Sequence, residues 1–261
     1  MRTVTTLTLL GALFLAGCNG NKNNANLTAN TNGNNNTSPI VQPPAPIKPT
    51  SVVDPNFKPC NPYFPLVPGS QYKYTINHSS GLVSDVTVVV DEAKENGQQV
   101  FIETTQIVDK SGGMELAQTA TRKYICDNGR VQLVSDFTDN KVEGKPNTAE
   151  LKLRTPAVFM ETPASLEKTG SKWSYTFNVV LQQPGQPPAT LPESTMAAFD
   201  VRGTESVKVP AGEFKAVKLG RKVGKSEGVD YYVRGLGLVK RESGEGTNWV
   251  LKEYSGVRPG E

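Results

Sequence analysis

A two-residue alternation of polar and apolar side chains recurs from about residue 69 to the end of the chain. The stretch S-Q-Y-K-Y-T-I at 70–76 alternates in this way, and D-V-T-V-V-V-D at 85–91 is β-branched and bounded by charges. Both patterns are typical of strands that are buried on one face or on both. Turn signals separate such stretches, and no segment keeps an apolar period of 3.6 residues over ten residues. We therefore predict an all-β fold, an antiparallel meander with at most a short helix at 164–167.

Two parts of this meander resemble each other. G-S-Q-Y-K-Y-T-I at 69–76 matches G-S-K-W-S-Y-T-F at 170–177, with aromatic residues at the same two places, and K-Y-I-C-D-N-G-R-V at 123–131 matches Y-Y-V-R-G-L-G-L-V at 231–239. The similar offsets indicate two half-modules, 55–160 and 161–261, of five or six strands each. Chance similarity between hairpins is the alternative. Two such sheets would form a barrel, a half-barrel, a sandwich or two lobes.

The chain begins with an apolar run that is shorter than the about 20 residues of a membrane span, so residues 1–17 are predicted to be a processing signal. Its end, L-A-G-C at 15–18, resembles the lipobox of bacterial lipoproteins. That resemblance implies cleavage after Gly17 and acylation of Cys18, which would anchor the mature protein to a membrane of the cell envelope. An ordinary signal peptide followed by an unmodified cysteine is the alternative. Asn19, where an Asp would favour the inner membrane, favours the outer membrane in a diderm host.

The segment 18–54 that follows is rich in Asn and then in Pro, with too few apolar residues to form a core. We expect it to be a disordered linker, spanning about 30 to 35 Å on average as a flexible coil. The β domain then occupies 55–261. Its basic and acidic residues nearly balance, with 28 Lys and Arg against 25 Asp and Glu in the whole chain, and they alternate along it, so no nucleic-acid partner is expected.

If Cys18 is acylated, the other two cysteines of the chain, Cys60 and Cys126, remain in a compartment where disulfides persist. We favour a disulfide between them over two separate buried thiols. Two sulfurs and the single histidine, His78, are too few for a zinc site, so neither a metal nor another cofactor is expected.

No catalytic constellation is predicted. A Ser-His-Asp or Cys-His mechanism would depend on His78 alone, in N-H-S-S-G, which is more typical of an exposed turn after a strand. The glycines at 235–237 lack the strand, third glycine and helix of a dinucleotide loop. Paired carboxylates would suit a glycosidase, but spacing in sequence does not fix their separation in space. A set of acidic residues is interpreted instead as solubilising charges at strand edges or turns: Asp85, Asp91, Glu92, Glu103 and Asp109.

Three motifs together resemble a known family. They are Y-F-P-L-V-P-G-S-Q-Y-K-Y-T at 63–75, V-P-A-G-E-F-K-A-V at 209–217 and Y-Y-V-R-G-L-G-L-V-K at 231–240. They are similar to motifs of bacterial envelope proteins called TapB-like, which are related to a larger group defined by a domain of unknown function. The resemblance covers most of 63–254 and departs at Tyr72, where the pattern usually has Trp. It implies an all-β envelope domain, with no activity and no catalytic residues to transfer.

Three functions fit this sequence. We favour a non-enzymatic β domain, anchored through Cys18, that binds or helps to assemble another envelope component such as a protein, a glycan or a lipid. The alternative is a carrier of an acyl chain or other apolar ligand in a curved sheet, as in LolA-like and LppX-like lipoproteins. An excess of apolar residues on a concave face would distinguish the carrier. A carbohydrate-active enzyme, which needs two carboxylates facing each other across a cleft, comes third.

Overall fold

The computed structural model describes residues 45–109, 116–142, 145–153, 156–182, 186–191 and 194–260. The processing signal, Cys18 and the linker up to residue 44 lie outside the described residues. Within them the chain forms fourteen strands and one four-residue helix, α1 (Pro163–Leu166), which overlaps the predicted one. No helix of this described part is long and apolar enough to cross a membrane. The strands are β1 (Gln71–Asn77), β2 (Val83–Glu95), β3 (Gln98–Asp109), β4 (Leu116–Asp127), β5 (Arg130–Val142), β6 (Lys145–Leu153), β7 (Ala157–Met160), β8 (Lys172–Gln182), β9 (Ala189–Thr190), β10 (Thr195–Val209), β11 (Gly212–Val223), β12 (Ser226–Val233), β13 (Gly237–Ser243) and β14 (Asn248–Ser255).

Twelve of these strands form one closed antiparallel barrel. Strands β1 to β6 pair in chain order, β6 pairs with β8, β8 pairs with β10, and β10 to β14 again pair in chain order. The pairing of β14 with β1 closes the ring, while β7 adds to β5 and β9 adds to β8 outside this path. The predicted all-β antiparallel fold is confirmed, and a barrel is the arrangement it takes.

The two halves of the barrel begin with the same local geometry. Before β1, the Gly69 N–H donates to the Val90 carbonyl at 2.8 Å, and before β8 the Gly170 N–H donates to the Val201 carbonyl at 2.8 Å. Both glycines have a positive φ, 85° and 87°, which a residue with a Cβ adopts only at a cost. In each half six barrel strands follow this turn. The repeated geometry occurs where the sequence matches itself, although the half-module boundaries remain a prediction.

Alternate side chains of every barrel strand point inward, as the period of two requires. The aromatic residues of the repeated motif belong to this inner face, and Tyr72, Tyr74 and Tyr175 are buried. Trp173 packs partly buried against the same core. The barrel is thus filled by its own side chains, including aromatic rings from both halves.

One end of the barrel is closed by residues 55–66, which we call the cap. Cys60 of the cap is joined to Cys126 of β4 by a disulfide. The ring of Phe64 packs against those of Tyr124 and Phe159, with centroids 5.3 and 5.2 Å away. The Gly235 N–H in the β12–β13 turn donates to a carbonyl of the cap at 2.7 Å. These contacts fix the cap to both halves of the barrel.

Residues 45–54, which we call the strap, lie along the outer face of β1, β2 and β3. Two backbone N–H groups of the strap donate to Asp91 Oδ1, each at 2.7 Å. The side-chain amides of Gln71 and Gln106 donate to strap carbonyls at 3.1 and 3.3 Å. At Gly69 a Cβ would come within 2.6 Å of the strap backbone. The last part of the predicted linker is therefore in contact with the barrel.

Candidate functional site

Charged side chains lie inside the barrel, in two groups. The first, which we call the acidic triad, consists of Glu103 on β3, Arg122 on β4 and Asp136 on β5. Arg122 donates from Nε to Asp136 Oδ2 at 2.9 Å and from Nη1 to Glu103 Oε1 at 3.2 Å. The three residues are direct partners across neighbouring strands. With one cation and two carboxylates, the acidic triad has a formal charge of −1 when all three groups are ionised.

The second group, the basic triad, consists of Arg221 on β11, Asp230 on β12 and Arg241 on β13. Arg241 holds Asp230 with two hydrogen bonds of 2.8 Å, from Nε and Nη2. Arg221 donates from Nε to the same carboxylate at 3.4 Å, and only 2% of its side-chain surface is exposed. Its two Nη atoms are buried and have no hydrogen-bond partner among the described residues. The basic triad has a formal charge of +1.

The two triads occupy related places in the two halves. In the first half the inward row runs through Val90, Glu103, Arg122 and Asp136; in the second it runs through Val201, Leu219, Asp230 and Arg241. Arg122 on β4 is thus at the position equivalent to Asp230 on β12. On the next strand of each half, Asp136 on β5 is equivalent to Arg241 on β13. The signs are therefore reversed at these two positions, while Glu103 corresponds to the neutral Leu219. The formal charges of the two triads, −1 and +1, cancel.

Burial and the facing charges shift the pKa values of these groups. Burial raises the pKa of Glu103 above its ordinary value, and Arg122 only partly opposes this shift. For Asp230 burial also acts to raise the pKa, but the charges of Arg241 and Arg221 outweigh it and the pKa is lowered. Burial and the like charge of Arg241 lower the pKa of Arg221. Among the carboxyl groups with a shifted pKa, burial therefore favours the neutral form of Glu103, whereas Asp230 is held in its ionised form.

A cavity of about 90 Å³, partly open to solvent, lies between the two triads under the cap. Its polar lining includes Glu103, Arg122 and Arg241, whose side chains keep 13%, 19% and 14% of their surface accessible. Its apolar lining includes Phe64 of the cap and Trp249 of β14. The buried indole N–H of Trp249 has no hydrogen-bond partner within the described part of the chain. The cavity thus joins an aromatic wall to a charged floor.

Sequence comparison gives this barrel a family. The family model of the DUF3108-like proteins matches residues 68–251, which run from just before β1 into β14. The chain belongs to the DUF3108-like family. This agrees with the broader of the two resemblances, to a group defined by a domain of unknown function. A search of curated proteins gave no match to the chain.

Two crystal structures are similar to this DUF3108-like chain. One is a proposed exported protein with a YmcC-like fold from Bacteroides fragilis, at 14% identity and a TM-score of 0.45, covering 72% of this chain and 95% of the other. The second is a proposed lipoprotein from Parabacteroides distasonis, at 16% identity and a TM-score of 0.42, covering 76% of this chain and all of the other. Neither likeness is high enough to carry a functional argument.

Of the residues that the sequence singled out for possible chemistry, His78 does not line the cavity of the DUF3108-like barrel, whereas Glu103 does. His78 follows β1, as predicted for a turn, and its Nε2 is 2.8 Å from Ser84 Oγ. Ser84 in turn donates to Asp109 Oδ1. A Ser-His-Asp triad has the histidine between the serine and the carboxylate, whereas here the buried serine lies between the other two. In a catalytic triad the carboxylate orients the histidine, which then takes the serine proton. Here His78 and Asp109 both contact the Ser84 hydroxyl, which donates to Asp109, so this arrangement is not a catalytic triad.

One interpretation of an acidic residue was wrong in position and two were incomplete. Glu103 does not lie at an edge or turn: it is in the middle of β3 on the inner face, because it alternates with buried Phe101 and Thr105. Asp109 lies at the end of β3, as predicted, but it accepts from buried Ser84, and Asp91 accepts from the strap, so both also have structural contacts. Among the described residues no group of three or more His, Cys, Asp or Glu side chains is placed to hold a metal ion.

The triads themselves were missed at the level of sequence, although a signal for them exists. In T-A-T-R-K-Y-I-C, Ala120, Arg122 and Tyr124 share one face of the strand, and the other two members are apolar or aromatic. The charged residue therefore had to face inward with them. The self-match of the chain, extended by one residue, also sets Arg122 against Asp230.

Proposed function

We propose that this DUF3108-like chain is a lipid-anchored protein of the cell envelope whose barrel has no catalytic role and binds or helps to assemble another envelope component through its outer surface. The filled interior is the observation that supports this function best. The cavity of about 90 Å³ is small beside the about 300 to 1,000 Å³ of typical ligand pockets. A partner of any size must then be bound outside.

The envelope location is supported by the L-A-G-C sequence ending at Cys18 and by the disulfide between Cys60 and Cys126, since disulfides persist in oxidising compartments. Placement in the outer membrane of a diderm host, and membership of the TapB-like proteins within the family, belong to the same proposal.

The geometry is less favourable to the two other functions. A lipid carrier needs a long apolar cavity, but charged triads cross the interior of this barrel. A glycosidase needs one carboxyl group that donates a proton and one that stays ionised, on either side of a substrate. Here Glu103 and Asp136 both accept from Arg122, which lies between them and fills the space that a sugar would need.

The anchor and the filled interior are tested separately. We expect Cys18→Ser to move the protein from the membrane fraction to the soluble envelope fraction, with loss of the acyl mass from the N-terminal peptide. Full-length protein purified from its host, extracted with organic solvent, should release no fatty acid or phospholipid above an unrelated lipoprotein treated alike. A stoichiometric released lipid would instead establish the carrier, and membrane retention of Cys18→Ser would rule out this anchor.

Partner binding is tested by cross-linking in intact cells. The wild-type protein should cross-link to one or a few envelope components at sites on the outer barrel wall. Cys18→Ser is the matched control, because it keeps the barrel but loses its position at the membrane. Cross-links no more frequent for the wild type than for this control would contradict a binding role at the membrane.

A further inference from the structure

The cavity floor offers hydrogen-bond donors that the protein itself does not use. A guanidinium group carries five N–H donors in a planar fork. Within the described residues, Arg122 bonds through Nε and Nη1, and Arg241 through Nε and Nη2. Each arginine thus keeps one Nη, and both side chains line the same cavity. The indole N–H of Trp249, also a lining residue, is a third donor without a partner.

The two guanidinium groups that line the cavity favour an acceptor that is negative. Asp136 and Asp230 are sealed behind the arginines, with 0% and 3% of their side-chain surface exposed, so the guanidinium groups face the space. Burial lowers the pKa of Arg241, but its pairing with Asp230 outweighs this and leaves the pKa raised, and the charge of Arg122 is close enough to act on it as a smaller opposing effect. A planar carboxylate is the acceptor that matches two such forks.

The other lining residues and the volume of the cavity determine the polarity and the size of the rest of the ligand. Most of the other lining residues are aliphatic or aromatic, among them Phe64, Leu66 and Leu236, and Thr105 and Gln118 are polar. A space of about 90 Å³ is smaller than the roughly 150 Å³ cavity that holds benzene in another protein, and by volume it would take about three water molecules. The ligand therefore has few atoms: one charged end and a short apolar end.

We propose that this cavity is a binding site for a small monocarboxylate of about two to four carbons, whose carboxylate is held by Arg122 and Arg241 and whose alkyl end lies against the cap. This site lies inside the barrel and is independent of the partner surface proposed above. The carboxylate would supply the acceptors that Arg122 Nη2, Arg241 Nη1 and the Trp249 indole lack.

Glu103 makes this binding depend on pH. Its carboxylate faces the same space and, when ionised, repels a second carboxylate, whereas its protonated form does not. Since burial already raises the pKa of Glu103, a bound anion raises it further and binding takes up a proton. The affinity should then increase as the pH falls from 7 to 6, a range in which the ligand carboxylate stays ionised. The groups facing Glu103 are Arg122, Asp136, Arg241, Tyr72, Tyr74, Tyr124 and Tyr232, and the tyrosines stay neutral in this range because burial raises their pKa values.

The direct test is calorimetric titration of residues 18–261 carrying Cys18→Ser, so that no detergent is needed. Sodium propionate is the probe, propionamide is the uncharged control of the same shape, and sodium hexanoate is the control for size. We expect one propionate per chain, at least about tenfold tighter binding than either control, and tighter binding at pH 6, where propionate is still ionised, than at pH 7. Equal affinities for propionate and propionamide, or no binding of propionate, would overturn the proposal and leave a cavity that holds water.

Two variants locate the site. Ala120→Leu extends a side chain that lines the cavity into the space and should abolish propionate binding, whereas Ala198→Leu, on the outer wall of β10, should not. Glu103→Gln keeps the shape of the carboxyl group and removes its titration, so propionate should bind as tightly at pH 7 as at pH 6. Undiminished binding by a folded Ala120→Leu variant, or an unchanged pH dependence in Glu103→Gln, would place any bound propionate elsewhere.

Discussion

Replacing Asp230 with asparagine would remove the one carboxylate that two interior arginines share. Arg241 bonds it twice at 2.8 Å and Arg221 once at 3.4 Å, and the side chains of Asp230 and Arg221 are 3% and 2% exposed. Unit charges about 4 Å apart interact by about 4 kcal/mol at an effective dielectric constant of about 20. Loss of one partner from a buried pair typically costs about 3 to 5 kcal/mol, because the other charge stays buried. We expect a loss of this size in the free energy of unfolding.

Urea unfolding at pH 7, followed by the fluorescence of Trp173 and Trp249, measures this loss. Asp200→Asn is the matched control, because Asp200 also pairs with an arginine, Arg202, but at an exposed site. Its removal should cost at most about 1 kcal/mol. Adding Arg221→Met to Asp230→Asn should recover part of the loss, since one uncompensated cation is removed. A loss for Asp230→Asn no greater than for Asp200→Asn would refute the argument.

Three further predictions concern the cap, the strap and acid stability. Replacing Cys60 and Cys126 together by serine should lower the free energy of unfolding by up to about 4 kcal/mol, the chain-entropy value for the 66-residue separation, and an unchanged urea midpoint would contradict it. Gly69→Ala should lower the free energy of unfolding by about 1 to 3 kcal/mol more than Gly81→Ala, because both glycines have a similar positive φ but only a Cβ at Gly69 contacts the strap. Protease cleavage within 45–54 should be faster in Gly69→Ala and unchanged in Gly81→Ala. The pKa of Asp230 is lower in the folded than in the unfolded protein, so its contribution to the free energy of unfolding is fully present above pH about 4 and is lost as the pH falls through the folded pKa. Below pH 4 the urea midpoint of Asp230→Asn should therefore fall less steeply than that of the wild type.

The strands and their inner faces were predictable because each depends on local alternation. Tyr72 and Tyr74 stand two residues apart on β1, as Trp173 and Tyr175 do on β8, and the period of two placed each pair on one face. The closure of the ring was not predictable in this way. It depends on the pairing of β14 with β1, residues about 180 apart in the sequence, and no local signal specifies such a pair.

The interior charges were missed for a different physical reason. Arg122 and Asp136 in isolation look like the charges of a solvated surface, since a buried ion is costly unless a partner neutralises it. Only the register of β4 against β3 and β5 supplies those partners. The interpretation of Glu103 as a surface charge was wrong because it treated each residue separately from the strand face on which it lies.

The disulfide between Cys60 and Cys126 also decides how the barrel responds to a pulling force. If the chain is tethered through Cys18, as proposed, tension reaches the strap first and breaks its hydrogen bonds to Asp91 before it reaches the barrel. The force then arrives at Cys60, four residues before Phe64, and passes through a covalent bond into β4 in the wall of the barrel. The cap beyond that point carries no tension. The tether can therefore stretch and peel from the outer wall while the cavity beneath Phe64 keeps its shape.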